Sequence, residues 1–188
     1  MSQSPSPLDA SRLVIHKSDS LRQCPPVKDI VFGRTFTDHM LKIPWTAARG
    51  WGEPSIEPYG PLSLEPSSVV LHYAVTLFEG MKAYRDDHGK VRLFRPEKNM
   101  ERMNRSASRI CLPNFDETEL LKLIKKLVQL DQHWVPSEPG YSMYIRPTLI
   151  GTEPSVSVTQ TSEALLFVIL SPVGPYYSSG VKPVALEA

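Results

Sequence analysis

Apolar positions change period several times along this chain, and each change predicts an element. Leu71, Val75 and Phe78 fall at helical spacing, which predicts a short helix closed by Gly80, because glycine takes the left-handed conformation at low steric cost. Residues 81–84 alternate as a half-buried strand does, and a polar turn, Arg85-Asp86-Asp87-His88-Gly89, joins them to a second strand over 91–94. The pair predicts a hairpin. Pro96 and Glu97 open a helix that runs to about Ile110 and buries Met100, Met103, Ala107 and Ile110. Asp116-Glu117-Thr118-Glu119 is a capping-box pattern ahead of the clearest helix, through Leu120, Leu121, Ile124, Leu127 and Val128, with Lys122, Lys125 and Lys126 on its solvated face. Residues 141–151 form a strand, and the apolar run 164–170 has strand length.

Earlier in the chain, Ile30-Val31-Phe32-Gly33 predicts a first strand and residues 35–45 a second. Short extended pieces follow over 55–64, and Pro66-Ser67-Ser68 offers a serine cap for the Leu71 helix. Residues 1–28, with four prolines among serines and charges, predict a disordered or loosely draped arm. The organisation that follows is an α+β domain over 29–171, a linker over 172–180, and a new unit beginning at 181–188.

Composition narrows the function classes. A net charge of +1 and 41% hydrophobic residues give no basic surface for nucleic acid and no run long enough to span a membrane. The N-terminus has no apolar core of a secretory signal. Arg12, Lys17 and Arg22 suggest a mitochondrial presequence, but Asp9, Asp19 and two early prolines spoil it, which favours a cytoplasmic location. Two isolated cysteines fit a reducing compartment. The five histidines lack paired spacing, so no metal site is expected.

The chemistry-bearing candidates are few. Tyr144 and Arg146 share one face of a strand, so a hydroxyl and a guanidinium can meet one ligand, and the arginine fork suits a carboxylate or phosphate. Arg102 on the Pro96 helix can reach a phosphate. For each, a plain surface role stays open. Tyr73 and Phe78 either line a pocket or fill the core.

A resemblance adds to this reading. Val31-Phe32-Gly33, Leu71-His72-Tyr73, Leu77-Phe78-Glu79-Gly80-Met81-Lys82, Leu93-Phe94-Arg95-Pro96, Asn99-Met100-Glu101-Arg102-Met103, Tyr144-Ile145-Arg146-Pro147 and Ile150-Gly151-Thr152-Glu153-Pro154-Ser155 stand in the order found in animal-type branched-chain amino-acid aminotransferases. The chain resembles that family from about residue 29 onward. The resemblance implies the small N-terminal domain of fold-type IV (D-amino-acid-aminotransferase-like) pyridoxal-phosphate enzymes, working as homodimers on leucine, isoleucine or valine and 2-oxoglutarate. By motif it implies that Arg102 binds the phosphate of pyridoxal 5'-phosphate. Phe32, Phe78 and Tyr144 would line the pocket for the branched side chain, and Arg146 would seat the glutamate carboxylate. Tyr73, Val156 and Val158 would reach the neighbouring subunit's site. It further implies that the Schiff-base lysine lies beyond residue 188, so that these residues alone are inactive and expose an aromatic face prone to association. Lys82 and Lys98 read as surface. The alternative reading is a truncated isoform acting as an interaction and dimerisation module.

Overall fold

A computed structural model describes residues 5–175. Among them, in chain order, lie β1 (Val14–Ile15), β2 (His39–Thr46), β3 (Gly50–Trp51), β4 (Ser55–Pro58), α1 (Val69–Tyr73), β5 (Thr76–Phe78), β6 (Met81–Arg85), β7 (Val91–Leu93), α2 (Pro96–Arg109), α3 (Glu117–Leu130), β8 (Ser142–Gly151) and β9 (Glu163–Val173). The strands build one sheet in the order β1-β4-β2-β9-β8-β6-β7, with β3 added to β2 and β5 to β8. Every pairing is antiparallel except the short β1–β4 pair. No helix among the described residues is long and apolar enough to cross a membrane.

Side-chain alternation gives the sheet two unlike faces. One carries Leu41, Ile43, Leu77, Met81, Ala83, Met143, Ile145, Leu149, Leu166 and Val168. These pack with Met100, Met103 and Ala107 of α2 and Leu120, Leu123, Ile124 and Leu127 of α3 in one buried cluster. Each such Leu, Ile or Met contributes about 1.5–3 kcal/mol through removal from water. On the other face of β8 and β9, Tyr144, Arg146, Phe167 and Ile169 are only half-buried. The α+β layering is therefore one-sided: helices cover one face of the central strands and leave the other open.

β8 pairs with β9 along its full length. Its opposite edge is shared: β5 lies against residues 148–150 and the first half of β6 against residues 143–145. The two keep one register, so Glu79 and Gly80 fall opposite Pro147 and Arg146, and the Glu79 N–H donates to the Pro147 carbonyl at 2.9 Å.

Several expectations need correction. The predicted helix does not run to Gly80. α1 stops at Tyr73 because Ala74 turns left-handed (φ 51°), and residues 76–78 pair with β8 instead. Tertiary pairing overrides a short helical period. Ser68 makes no side-chain cap on α1, and its buried hydroxyl has no partner. Residues 30–33 are a turn, not a strand. Val31 and Phe32 are exposed, Gly33 takes a φ of +69°, and the Arg34 N–H closes the turn on the Val31 carbonyl at 3.1 Å. Ile110 lies past the end of α2 and is exposed. Asp116 caps α3 by accepting from the N–H groups of Thr118 and Glu119 at 2.8 and 3.0 Å, but Glu119 does not close the box: it accepts from the N–H of Ala10 at 2.7 Å.

That last bond belongs to a larger correction. From Pro5 on, the expected disordered arm is laid against the sheet edge. Leu8 is buried, β1 pairs with β4, and the Ser18 N–H donates to His39 Nε2 at 2.9 Å. His39 Nδ1 meets Asp131 Oδ1 at 2.6 Å, which assigns the ring proton to Nδ1 because Nε2 is an acceptor. Arg22 donates its backbone N–H and its Nε to Asp38 Oδ1, at 3.0 and 3.1 Å. The arm is a strap with one short helical turn, residues Ala10–Arg12 capped by Asp9, held against the sheet by these contacts. At the other end, Pro172 and Val173 belong to β9 and not to a linker; residues 176–180 and 181–188 lie outside the described residues.

Candidate active site

On the open face of β8, strand alternation places Tyr144 and Arg146 side by side. The Arg146 guanidinium donates to the Tyr144 hydroxyl oxygen from Nη2 at 2.7 Å and from Nε at 3.2 Å. Its Cζ lies 4.2 Å from the Phe78 ring centroid and 5.0 Å from that of Tyr144. Phe32, carried by the turn after Ile30, tilts against Tyr144 with centroids 5.6 Å apart. So four of the sequence-derived candidates, from three separate segments, converge on one patch. Stacking of this kind is worth about 0.5–1 kcal/mol where exposed, and Phe78 is 61% exposed. With its oxygen accepting from Arg146, the Tyr144 O–H is left to donate outward.

The two-residue break between β5 and β6 ties this patch to the helical side. Glu79 alternates onto the buried face with Leu77 and Met81, and only 4% of it is exposed. A lone carboxylate there would be costly. It is fully met by donors: Arg102 Nε to Oε1 at 2.5 Å, Arg102 Nη2 to Oε2 at 2.8 Å, Asn99 Nδ2 to Oε2 at 2.9 Å and the Gly80 N–H at 3.2 Å. Burial pushes the Glu79 carboxyl up, but the bonds from Arg102 and Asn99 outweigh it and hold the group below its ordinary value. The same contact raises the Arg102 guanidinium. Gly80 faces the other way. A Cβ there would run into the Tyr144 hydroxyl and lie 3.0 and 3.1 Å from ring carbons Cζ and Cε2, so close ring approach requires glycine here.

Arg102 itself is 56% exposed and opens into a recess of about 230 Å³ lined by Phe94, Arg95, Lys98, Asn99 and Arg102. Three cations, one amide donor and no acid line it, a donor set suited to a phosphate. Arg95 is left-handed (φ 46°) just before Pro96. Lys98, read from sequence as plain surface, lines this recess while pairing with Glu101 at 2.8 Å. Lys82 sits on the open face opposite Tyr144.

Tyr73, Val156 and Val158 form a second group. The Tyr73 hydroxyl donates to the Val156 carbonyl, and the Ser155 N–H to the Ser67 carbonyl at 3.0 Å, so α1 is bound to the loop after β8. Val158 projects outward, 85% exposed.

Sequence reasoning missed Glu79, Asn99 and the reason for Gly80. The signal was present: an acid between Leu77 and Met81 on an alternating apolar face demands a buried partner.

The amino-transferase class IV family model matches residues 76–187. The chain is 58% identical over 182 residues to the mitochondrial branched-chain-amino-acid aminotransferase of Saccharomyces cerevisiae, covering 97% of this chain and 46% of that protein. It is 57% identical over 182 residues to the cytosolic one of the same yeast, covering 97% and 48%. Among solved structures, the branched-chain aminotransferase of Thermoproteus uzoniensis with norvaline superposes with a TM-score of 0.57 at 25% identity, over 72% of this chain and 42% of that one. The chain thus spans about half the length of the curated relatives it matches.

Proposed function

We propose, from the premise that this chain belongs to the amino-transferase class IV family and has the α+β small-domain fold of fold-type IV enzymes, that it forms one wall of a branched-chain amino-acid transaminase. The reaction moves the amino group of leucine, isoleucine or valine to 2-oxoglutarate, giving branched 2-oxo acids and glutamate. One observation carries the reading: a guanidinium, Arg146, lies over the Phe78 ring, its Cζ 4.2 Å from the centroid, beside Tyr144 in an otherwise aromatic patch.

Such a wall suits two unlike substrates in turn. Phe32, Phe78 and Tyr144 offer apolar surface to a branched side chain. Arg146 and the Tyr144 hydroxyl offer donors to the second carboxylate of glutamate or 2-oxoglutarate. Alternating occupancy by an aliphatic and an acidic side chain is what a two-substrate transaminase needs.

Pyridoxal 5'-phosphate, when bound, supplies an electrophilic carbon and an electron-accepting ring. The recess at Arg102 fits its phosphate by donor set and charge. Arg102 would hold that dianion, with Arg95 and Lys98 adding positive potential. The Schiff-base lysine belongs, in this reading, to polypeptide outside these 188 residues. Tyr73, Val156 and Val158 would complete the neighbouring subunit's site in a homodimer, and the location would be cytoplasmic.

A chimera tests the reading. This chain replaces the matching segment of the yeast mitochondrial relative, and glutamate formation from leucine and 2-oxoglutarate is measured. Turnover by the folded chimera is expected. The isolated 188 residues are expected to give neither turnover nor the visible absorbance of a lysine-bound cofactor. A folded but inactive chimera, or an active isolated chain, contradicts the proposal.

A further inference from the structure

We propose that Glu79 is a positioning residue: its buried carboxylate fixes the edge of the Arg102 guanidinium that faces away from the recess, so that the remaining donors are aimed at a phosphate. The inference rests on the reading of Arg102 as a phosphate ligand.

Arginine has five N–H donors in a rigid planar fork. Glu79 takes one from Nε, at 2.5 Å, and one from Nη2, at 2.8 Å. Among the described residues the guanidinium makes no other hydrogen bond, so both Nη1 donors and the second Nη2 donor point past the carboxylate. A half-exposed arginine on a helix otherwise samples many rotamers. The two-point contact selects one, because a planar fork bound at two atoms cannot swing.

The carboxylate is in turn held. Asn99, one turn before Arg102 on α2, donates Nδ2 both to Glu79 Oε2 at 2.9 Å and to the Gly80 carbonyl at 3.1 Å. The Gly80 N–H adds a third constraint at 3.2 Å. Strand pairing fixes the backbone beneath, through the Glu79 N–H and the Pro147 carbonyl. Stability does not explain an acid here: a buried ion pair is often no better than the apolar residue that could replace it, and Leu77 and Met81 occupy the equivalent positions on either side. A supporting group that orients a ligand-binding side chain does explain it.

The sign of one substitution separates positioning from mere counter-charge. Removing the negative charge beside a phosphate site strengthens phosphate binding if Glu79 only neutralises Arg102. It weakens binding if Glu79 aims the fork. The test titrates inorganic phosphate into the whole 188-residue chain, with chloride as control, and follows the Arg102 Nε–H and the backbone amides of residues 95–99 by NMR. Wild type, Glu79→Gln and Arg102→Gln are compared. Expected are a downfield, slowly exchanging Arg102 Nε–H before phosphate is added, a phosphate-dependent shift, and affinity about tenfold weaker in Glu79→Gln. Equal or tighter binding by Glu79→Gln, with Arg102→Gln still abolishing it, overturns positioning and leaves the phosphate reading intact. No phosphate response in wild type, or one unchanged by Arg102→Gln, overturns both. Should Glu79→Gln not fold, the wild-type Nε–H decides: fast exchange at solvent rate overturns the tether.

Discussion

Glu79 and Gly80 are adjacent, yet they serve opposite faces of one sheet. Alternation sends the Glu79 carboxylate under α2, where burial works against its charge and Arg102, Asn99 and Gly80 restore it. Gly80 leaves room for the Tyr144 ring. The Glu79 pKa carries a stability consequence. It is lower in the folded chain than its ordinary 4.5, so the ionised form favours folding. That contribution is complete above pH 4.5 and is lost as pH falls through the depressed folded value. Asp38 behaves alike: burial opposes its charge, but bonds from Trp134 and Arg22 outweigh that and hold it below 3.8. Urea midpoints should therefore hold steady between pH 6 and 5 and fall below about pH 4.5. In Glu79→Gln the fall should be shallower, and an unchanged slope would contradict the ion pair. Tyr144 and Arg146 were readable from the chain because alternation needs only a local period. Glu79 was harder, because its meaning lies in a partner 23 positions away.

At the scale of elements, β6, β7, α2, α3, β8 and β9 were legible because each carries its own period or cap. The N-terminal arm was not. The apolar residues it packs on the core, Leu8, Ala10, Leu13 and Cys24, have no period, and their worth comes only from a core built by later strands. Asp38 is the fastening point. It accepts from Arg22 at two atoms, at 3.0 Å and 3.1 Å, and from Trp134 Nε1 at 2.8 Å, with His133 Nε2 at 3.3 Å. Asp38→Ala strands the buried Trp134 N–H and releases the strap. A loss of about 2–3 kcal/mol in unfolding free energy is expected. Limited trypsin digestion should then cut early at Arg12, Lys17 and Arg22, sites slow to cleave in the wild type. Equal cleavage rates would show that the arm is not held there. Misreading 71–79 as one helix has a similar origin: residues 74–79 left the helical period for an open edge of β8 that the local sequence does not show.

Across the whole molecule, the one-sided layering decides which side chains stay accessible. Helices seal one face of the central strands, while the other keeps Phe78, Tyr144 and Arg146 in a patch with Phe32 beside them, 47% exposed. The Glu79–Gly80 break joins that patch to the cationic recess at Arg102: Gly80 leaves room for the Tyr144 ring, and Glu79 holds the Arg102 guanidinium. The most direct measurement is the ratio of kcat/KM for glutamate to that for leucine in the yeast chimera, with and without Arg146→Leu. Loss of a charge-assisted contact of about 1.5–3 kcal/mol should lower the glutamate value by roughly 10- to 150-fold. The leucine value should change only a few-fold. Equal losses for both amino acids, or none for glutamate, would contradict the account.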